Sequence, residues 1–294
     1  MRMKLGFVGL GVMGYPMAGH LQQGGHDVTV FNRTPGRAGD WMVQYGGQSA
    51  PTPKAAARGA DIVFLCVGND DDVRAVALGE NGVMAGLAPG ALVVDHTTAS
   101  AALARELGAA AVEQQLGFLD APVSGGQAGA ENGALTIMIG GAESDFDKAE
   151  PVLSCYARCA RLLGPTGSGQ LAKRVNQVCI AGVVQGLAEA LEFSEQAGLD
   201  SAAVVEVISQ GAAQSWQMEN RYKTMLAGEY DHGFAVDWMR KDLGMVLAEA
   251  DRLDLELPVT KLVDGYYSEV QAMGGNRWDT SSLFARMRAI SDKT

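Results

Sequence analysis

Residues 9–14 read GLGVMG and directly follow the apolar run at residues 5–8. Between a strand and a helix, glycines at this spacing allow a tight turn, a close approach to a pyrophosphate and close packing of helix on strand. Backbone amides at the N-terminus of such a helix face the phosphate charge. The segment therefore predicts a dinucleotide site lined by Gly9, Leu10, Gly11, Val12, Met13 and Gly14.

The side chain that binds the adenosine ribose is expected at the end of the second strand, about 20 positions after the glycines. Enzymes that use NAD commonly have a carboxylate there, whereas this chain has Asn32, Arg33 and Thr34. A guanidinium and a hydroxyl suit a 2′-phosphate, which a carboxylate would repel. NADP(H) is therefore the preferred cofactor, with NAD(H) as the alternative. Arg37 either adds a second positive charge or is an ordinary solvated residue at a helix start.

A lysine and an asparagine, Lys173 and Asn176, lie three residues apart in a segment with helical periodicity. That spacing puts both side chains on one face of a helix. Apolar neighbours would partly desolvate the lysine and lower the pKa of its amine toward neutrality, as a general acid or base requires. These two residues are the candidate catalytic groups for a proton transfer that accompanies hydride transfer.

Three further segments end predicted strands at the edge where a parallel sheet binds ligands. Ser124, Gly125 and Gly126 offer a hydroxyl and bare backbone amides for a carboxylate or a phosphate. The hydroxyl of Thr98 is placed to reach the nicotinamide ribose or the substrate. Cys66 and Val67 are expected to line the cofactor. His96 is a weaker acid/base candidate and is not assigned to the site.

Short apolar runs alternate with helical segments through the first half of the chain, which is typical of βαβ units in a parallel sheet. From residue 166 the β-branched runs disappear, and residues 170–197 read as one long helix. The sequence thus predicts an α/β fold: a Rossmann-type, mostly parallel sheet over residues 1–164, joined by a long helix to an all-helical domain over residues 165–294. The predicted strands cover residues 5–8, 28–31, 61–67, 91–95, 118–123, 135–139 and 161–163. The predicted helices cover residues 15–23, 101–114, 170–197, 202–210, 238–253 and 259–273.

Composition excludes several classes of protein. The 294 residues carry a formal net charge of −11, which disfavours binding to nucleic acid or anionic membranes. An apolar run long enough for a signal peptide or a membrane span is absent, so we expect a cytoplasmic protein. The four cysteines lack the spacing of a zinc site and are expected to be reduced thiols, and we expect no metal.

Four blocks of this sequence together resemble the β-hydroxyacid dehydrogenases, which include 3-hydroxyisobutyrate dehydrogenase, tartronate semialdehyde reductase and the glyoxylate/succinic semialdehyde reductases. The blocks are residues 7–14 (FVGLGVMG), 120–126 (DAPVSGG), 167–176 (GSGQLAKRVN) and 241–243 (KDL). The resemblance covers nearly the whole chain. It implies that Lys173 is the catalytic acid/base, that residues 124–126 bind the substrate carboxylate and that Thr98 contacts the nicotinamide ribose or the substrate. It also implies that Phe234 and Asp242 line the substrate site and that Lys241 contacts the cofactor.

This resemblance implies an NADP(H)-dependent oxidoreductase that interconverts a small 3-hydroxyacid and its semialdehyde. The leading interpretation is an enzyme like 3-hydroxyisobutyrate dehydrogenase, and the alternative is a glyoxylate/succinic semialdehyde or tartronate semialdehyde reductase. The sequence does not rank glyoxylate, succinic semialdehyde, methylmalonate semialdehyde and tartronate semialdehyde, because they differ by only a few atoms. Gln177, where many relatives have a second asparagine, leaves the substrate more open than the reaction. Imine reductases usually replace the lysine, and 6-phosphogluconate dehydrogenase has a histidine next to the asparagine, so both fit less well. A non-catalytic NADPH-binding module has no need of Lys173. The apolar second half predicts a homodimer or homotetramer.

Overall fold

A computed structural model describes residues 2–291 of the chain. These residues form two compact units, divided after Lys173. The division falls inside a long helix, so the first turns of that helix belong to the first unit and the remainder to the second. Each unit has its own hydrophobic core.

The first unit contains one sheet of nine strands within the described residues. The strands are β1 (Lys4–Val8), β2 (Asp27–Phe31), β3 (Gln48–Ser49), β4 (Ile62–Leu65), β5 (Leu92–Asp95), β6 (Gly117–Asp120), β7 (Val123–Ser124), β8 (Leu135–Gly141) and β9 (Ala157–Gly164). Their order is β3-β2-β1-β4-β5-β6-β8-β7, with β9 paired to β8. All pairs from β3 to β6 are parallel, and β8 runs antiparallel to β6 and β7. The predicted mostly parallel sheet is confirmed.

Both faces of this sheet are covered. Ile62 and Phe64 of β4 belong to one core cluster, and Val63 and Leu65 belong to the cluster on the other side. Successive side chains of a strand point to opposite faces, so a strand buried on both sides reads as a continuous apolar run. The helices of the first unit are α1 (Gly14–Gln23), α2 (Pro35–Tyr45), α3 (Pro53–Ala57), α4 (Asp70–Leu78), α5 (Ala101–Glu113), α6 (Gly126–Glu131) and α7 (Glu143–Leu153).

One predicted strand is wrong as a single element. The run at residues 118–123 divides into β6, which pairs with β5, and β7, which pairs with β8. Pro122 lies between them and has no amide to donate, and its carbonyl accepts from the Met138 amide of β8 at 3.1 Å. The chain therefore changes strand partner at the proline. Ser124 consequently lies in β7 itself rather than in the turn after it.

The second unit is helical, as predicted. Helix α8 (Ser168–Gln196) begins in the first unit, and the others are α9 (Ser201–Ile208), α10 (Trp216–Ala227), α11 (Val236–Arg252), α12 (Pro258–Ala272) and α13 (Leu283–Ser291). They enclose a core that includes Leu187, Met239, Tyr267 and Phe284. Among residues 2–291, no helix is both long enough and apolar enough to cross a membrane.

Candidate functional site

The glycine loop between β1 and α1 requires glycine at two positions. Gly9 has φ +99°, and a Cβ there would overlap the Cys66 carbonyl group. A Cβ on Gly14 would overlap the carbonyl of Gly9 and lie 2.9 Å from the Phe7 ring. The predicted roles in turning the chain and packing the helix on the strand are therefore visible in the geometry.

Gly11 has a different environment from its two neighbours in the motif. No described atom lies within 4 Å of the place where its Cβ would be, and both Gly11 and Val12 are exposed. The first turn of α1 carries no acidic side chain. An anion can therefore approach the backbone here without a clash or a repelling charge, and the loop fits the pyrophosphate of a dinucleotide.

The residues after β2 hold this loop and flank it. Asn32 accepts a hydrogen bond from the Leu10 amide through Oδ1 at 2.9 Å and donates to the Thr34 carbonyl at 3.0 Å. Arg33 is exposed and forms an ion pair with Asp72 of α4. Arg37 donates from Nε to the Leu10 carbonyl and lies over the Tyr15 ring, 5.1 Å from its centroid. Arg37 therefore braces the loop.

The segments after β4 and β5 lie together at the same edge of the sheet. The Val67 amide donates to Thr97 Oγ1 at 3.1 Å, and Cys66 donates its own amide to the Val8 carbonyl at 2.9 Å. Thr98 follows and is half-buried. Cys66 is thus brought next to the end of β1, and Val67 is bonded to the segment that contains Thr98.

Ser124, Gly125 and Gly126 form the junction between β7 and α6. Gly125 has φ +129° and Gly126 has φ +60°, both in the region that favours glycine. Gly125 immediately precedes α6 and Gly126 begins it, and both are exposed while Ser124 is half-buried. A hydroxyl and two accessible backbone amides therefore lie within three consecutive residues, as a carboxylate site requires.

His96 is a structural residue. It is 2% exposed, Nδ1 lies 2.6 Å from the Ala121 carbonyl oxygen, and Nε2 lies 2.7 Å from the Tyr156 hydroxyl. Its ring also stacks on Phe64 with centroids 5.7 Å apart. Burial lowers the pKa of His96 to about 4, so the imidazole is neutral near pH 7. Its two ring nitrogens are thus occupied by partners within the fold.

Two buried carboxylates support the chain at the ends of neighbouring strands, and they were not expected from the sequence. Asp95 ends β5, Asp120 ends β6, and the two are paired across the parallel ladder. Asp120 is fully buried and accepts from the amides of Gly167 at 2.6 Å and Gln170 at 2.9 Å. Burial raises the pKa of Asp95 to about 7 and that of Asp120 to about 6. The sequence signal for both residues was an acidic side chain at the end of an apolar strand.

Asp120 and Gln170 together fix the start of α8, which carries Lys173. Gln170 is fully buried; its side chain accepts from the Ala99 amide at 3.0 Å and donates to the Thr97 carbonyl at 2.7 Å. A Cβ on Gly169 would lie 2.5 Å from the carbonyl oxygens of Asp120 and Met138, so the helix packs directly on the sheet. Lys173 lies in the second turn and is 7% exposed.

In the second unit, the structure brings together Asn176, Gln177 and the pair Lys241 and Asp242. Asn176 Nδ2 donates to Gln177 Oε1 at 2.8 Å, and Gln177 Nε2 donates to Asp242 Oδ2 at 2.7 Å. Lys241 Nζ lies 3.5 Å from Asp242 Oδ1. The departure from the family pattern, Gln177, is therefore the residue that connects Asn176 to Asp242.

Phe234 lies just before α11 and has a separate support. Its amide donates to Asp279 Oδ2 at 2.8 Å, and Asp279 Oδ1 accepts from Arg221 Nε at 3.1 Å. Asp279 is 1% exposed. A buried ion pair thus fixes the backbone at Phe234, and sequence reasoning did not find it because its members are far apart along the chain.

Both units match family models. Residues 4–164 match the NAD binding domain of 6-phosphogluconate dehydrogenase, and residues 167–287 match the model described as NAD-binding of NADP-dependent 3-hydroxyisobutyrate dehydrogenase. An uncharacterised oxidoreductase of Shewanella frigidimarina is 67% identical over 284 residues, which cover 97% of this chain and 98% of the relative. The 2-hydroxy-3-oxopropionate reductase of Escherichia coli is 33% identical over 290 residues, which cover 99% of each chain.

Solved structures with the same fold include a 3-hydroxyisobutyrate dehydrogenase from Salmonella typhimurium. It is 31% identical, with a TM-score of 0.85 over 96% of this chain and 98% of that one. A second structure, Psf3 in complex with NADP+ and 2-OPP, is 26% identical, with a TM-score of 0.87 over 96% of this chain and 99% of that one.

Proposed function

This chain belongs to the β-hydroxyacid dehydrogenase family and is an NAD(P)-dependent oxidoreductase, and from that premise we propose that it interconverts a small 3-hydroxyacid and its semialdehyde. The observation that carries the proposal is the placement of Lys173. This lysine is buried in the second turn of a helix whose start is fixed by Asp120 and Gln170. A positioned, partly desolvated amine is the acid/base group that carbonyl reduction requires.

The loop after β1 would hold the dinucleotide pyrophosphate, and Asn32, Arg33 and Thr34 would flank the adenosine ribose. Cys66, Val67 and Thr98 would lie along the cofactor at the ends of β4 and β5. When bound, the cofactor supplies or accepts a hydride at nicotinamide C4. We propose NADP(H) as the preferred form because Arg33 follows β2 where an acidic residue would favour NAD(H).

Lys173 would move the proton. In the reducing direction its Nζ donates a proton to the substrate oxygen as the carbonyl becomes a hydroxyl, and in the oxidising direction Nζ removes that proton. Ser124 Oγ and the amides of Gly125 and Gly126 would hold the substrate carboxylate, which fixes the orientation of the carbonyl. A substrate with one carboxylate and a nearby aldehyde therefore matches this set of groups.

The residues of the second unit have supporting roles in this proposal. Asn176 would orient the lysine or the substrate hydroxyl through its amide. Phe234 and Asp242 would line the substrate site, and Lys241 would contact the cofactor. The bonds from Gln177 to Asn176 and Asp242 support the idea that these polar groups act as one unit.

The reaction is tested with purified protein, NADPH or NADH, and a panel of aldehydes. The panel contains 2-hydroxy-3-oxopropionate, which is tartronate semialdehyde, together with methylmalonate semialdehyde, succinic semialdehyde and glyoxylate. Oxidation of the reduced cofactor with at least one of them is expected, and 3-hydroxyisobutyrate should support the reverse reaction if methylmalonate semialdehyde is the substrate. Tight cofactor binding without turnover of any compound would instead identify a non-catalytic binding module.

We also propose that the chain assembles as a homodimer or homotetramer. Several large apolar side chains of the second unit are strongly exposed, among them Phe193 at 74% and Val207 at 72%. Exposed apolar groups in such number are typical of surfaces that a second chain covers. Light scattering coupled to size-exclusion chromatography should give a mass of twice or four times that of one chain, and a monomer mass at micromolar concentration would contradict this.

A further inference from the structure

The arginine expected to bind an adenosine 2′-phosphate already has an anionic neighbour. Arg33 Nη1 lies 3.1 Å from Oδ1 of Asp72. The Arg33 side chain is 87% exposed and that of Asp72 is 30% exposed. The guanidinium is therefore accessible to a ligand, but it is shared with a carboxylate of the protein.

Asp72 is held in place by the fold and not only by Arg33. It lies in the first turn of α4, where its backbone amide donates to Asn69 Oδ1 at 2.9 Å. A carboxylate is favoured at a helix N-terminus by the helix dipole. Strands β2 and β4 flank β1 on either side, so the end of β2 and the start of α4 lie at the same edge of the sheet.

We propose that Asp72 is a specificity-determining residue that competes with an adenosine 2′-phosphate for Arg33, and so weakens the preference of this chain for NADP(H) over NAD(H). The end of β2 has no acidic residue, but the tertiary structure brings one from α4. The proposal rests on the cofactor placement proposed above and not on the identity of the substrate.

The competition between Asp72 and the 2′-phosphate for Arg33 affects the binding of NADP(H) and not that of NAD(H). A 2′-phosphate bound through Arg33 Nη1 must displace Asp72 from that nitrogen, and one bound through the other N–H groups of Arg33 lies as a dianion beside the Asp72 carboxylate. A 2′-hydroxyl carries no charge, so it requires neither change. Arg37 bonds the Leu10 carbonyl through Nε and lies over the Tyr15 ring, whereas the ion pair with Asp72 is made by Arg33.

The test is the binding of two nucleotides that differ only in the phosphate, 2′,5′-ADP and 5′-AMP, measured by titration calorimetry at low ionic strength. Asp72→Asn should tighten binding of 2′,5′-ADP by about threefold to fivefold, the size of an exposed charge interaction, and change binding of 5′-AMP by less than about twofold. Unchanged or weaker binding of 2′,5′-ADP would overturn the proposal, the latter because Asp72 would then be orienting Arg33 for the phosphate.

The matched control is Asp71→Asn, which removes the same charge from the same helical turn. The Asp71 side chain is 97% exposed and lies 3.5 Å from Arg74 instead of Arg33. It should change the affinity for 2′,5′-ADP by less than about twofold because solvent and salt screen its charge. An equal gain in both variants would mean that net charge alone sets the affinity, and would overturn the role of Asp72.

A double variant tests whether the effect of Asp72 depends on Arg33. In Arg33→Ala protein, Asp72→Asn should change 2′,5′-ADP binding by less than about twofold, because no guanidinium remains to be withheld. An undiminished gain would overturn the competition. An Arg33→Ala protein with an unchanged ratio of the two affinities would overturn it as well. All these measurements proceed without turnover, so a chain that bound nucleotides as proposed but reduced no aldehyde would refute the reaction and leave this inference standing.

Discussion

The two ends of one edge of the sheet differ in the exposure of their polar groups. At the ends of β1 and β2, Gly11 and Val12 are exposed and the Arg33 side chain is 87% exposed. At the ends of β5 and β6, Asp95 is 2% exposed and Asp120 is fully buried, with backbone amides bonded to their oxygens. The first end leaves its groups accessible to a ligand, whereas the second uses its groups to fix the chain.

The difference in exposure predicts two kinds of effect, one on ligand affinity and one on the stability of the fold around Lys173. In the proposed function, groups at the exposed end would act on ligand affinity, because a ligand would replace water around them. Groups at the buried end act on stability and on the position of Lys173, because their partners are amides of the protein. Substitutions at the two ends should therefore change different measured quantities.

The largest effect is expected from Lys173→Ala. Loss of a positioned general acid/base should lower kcat by about 100-fold or more, while the dissociation constant of NADPH changes by less than about twofold. Steady-state kinetics and NADPH fluorescence measure the two quantities. Lys148→Ala, which removes a lysine bonded to the Gly90 carbonyl on the surface, is the control and should keep its activity. A Lys173→Ala protein with half the parent activity would place the proton transfer elsewhere.

Asp120→Ala should have the next largest effect, and on stability. It leaves the amides of Gly167 and Gln170 buried without an acceptor, which costs about 2–3 kcal/mol in the free energy of unfolding measured in urea. Asp120→Asn keeps one carbonyl oxygen as an acceptor, so its loss should be smaller. Equal losses in the two variants would show that the charge, and not the hydrogen bonds, makes Asp120 important.

Arg33→Asp tests the exposed end. A second carboxylate beside Asp72 should repel a 2′-phosphate, and the ratio of kcat/KM for NADPH to that for NADH should fall about tenfold and reverse the preference. Arg58→Asp makes the same charge reversal at an exposed position after α3 and should leave the ratio unchanged. A constant ratio in the Arg33 variant would remove this residue from the 2′-phosphate site.

The effect expected from Asp95→Asn depends on pH. Burial raises the pKa of Asp95 to about 7, so the native state keeps a proton that the unfolded chain releases at lower pH. That carboxyl group therefore destabilises the parent increasingly as pH rises from about 4 to about 7. The stability of Asp95→Asn relative to the parent should increase over this interval by about 1 kcal/mol or more, and then become constant.

Thermal and urea unfolding at pH 4, 5, 6, 7 and 8 measure this difference. His96 contributes the opposite pH dependence, but it is present in both proteins and cancels in the comparison. Asp40→Asn, on the exposed surface of α2, is the control and should show no such trend. A pH-independent difference for Asp95→Asn would mean that Asp95 has the same pKa in the native protein as in the unfolded chain.

Most of the architecture was predictable because its signals are local. Apolar runs at β1, β4 and β5 mark strands buried on both faces, and the proline-free periodic segment marks α8. Several helices, among them α3, α4, α6 and α10, and the change of strand partner at Pro122 were not predicted. The helices that were not predicted have five to twelve residues, too few for a strong periodic signal, and a change of strand partner depends on β8, which lies later in the chain.

The candidate site also contains residues that local sequence predicts and residues whose role depends on distant parts of the chain. Residues 9–14, Ser124 to Gly126 and Lys173 stand out by type and spacing, because a glycine at a tight turn or a lysine in an apolar helix is defined by its immediate neighbours. Gln170 does not stand out, since its amide matters only through the carbonyl of Thr97 and the amide of Ala99. Those partners are more than 70 positions away along the chain.

The sequence by itself determined most of the strands, the longest helices, the dinucleotide loop and the candidate lysine, because local sterics and hydrophobic period specify each of them. Only the tertiary structure decided which charges meet. The sheet order places β2 and β4 on either side of β1, and β5 beside β6. Arg33 therefore lies beside Asp72, and Asp95 lies beside Asp120. Contacts between residues so far apart depend on strand order and burial, which no single segment of the sequence carries.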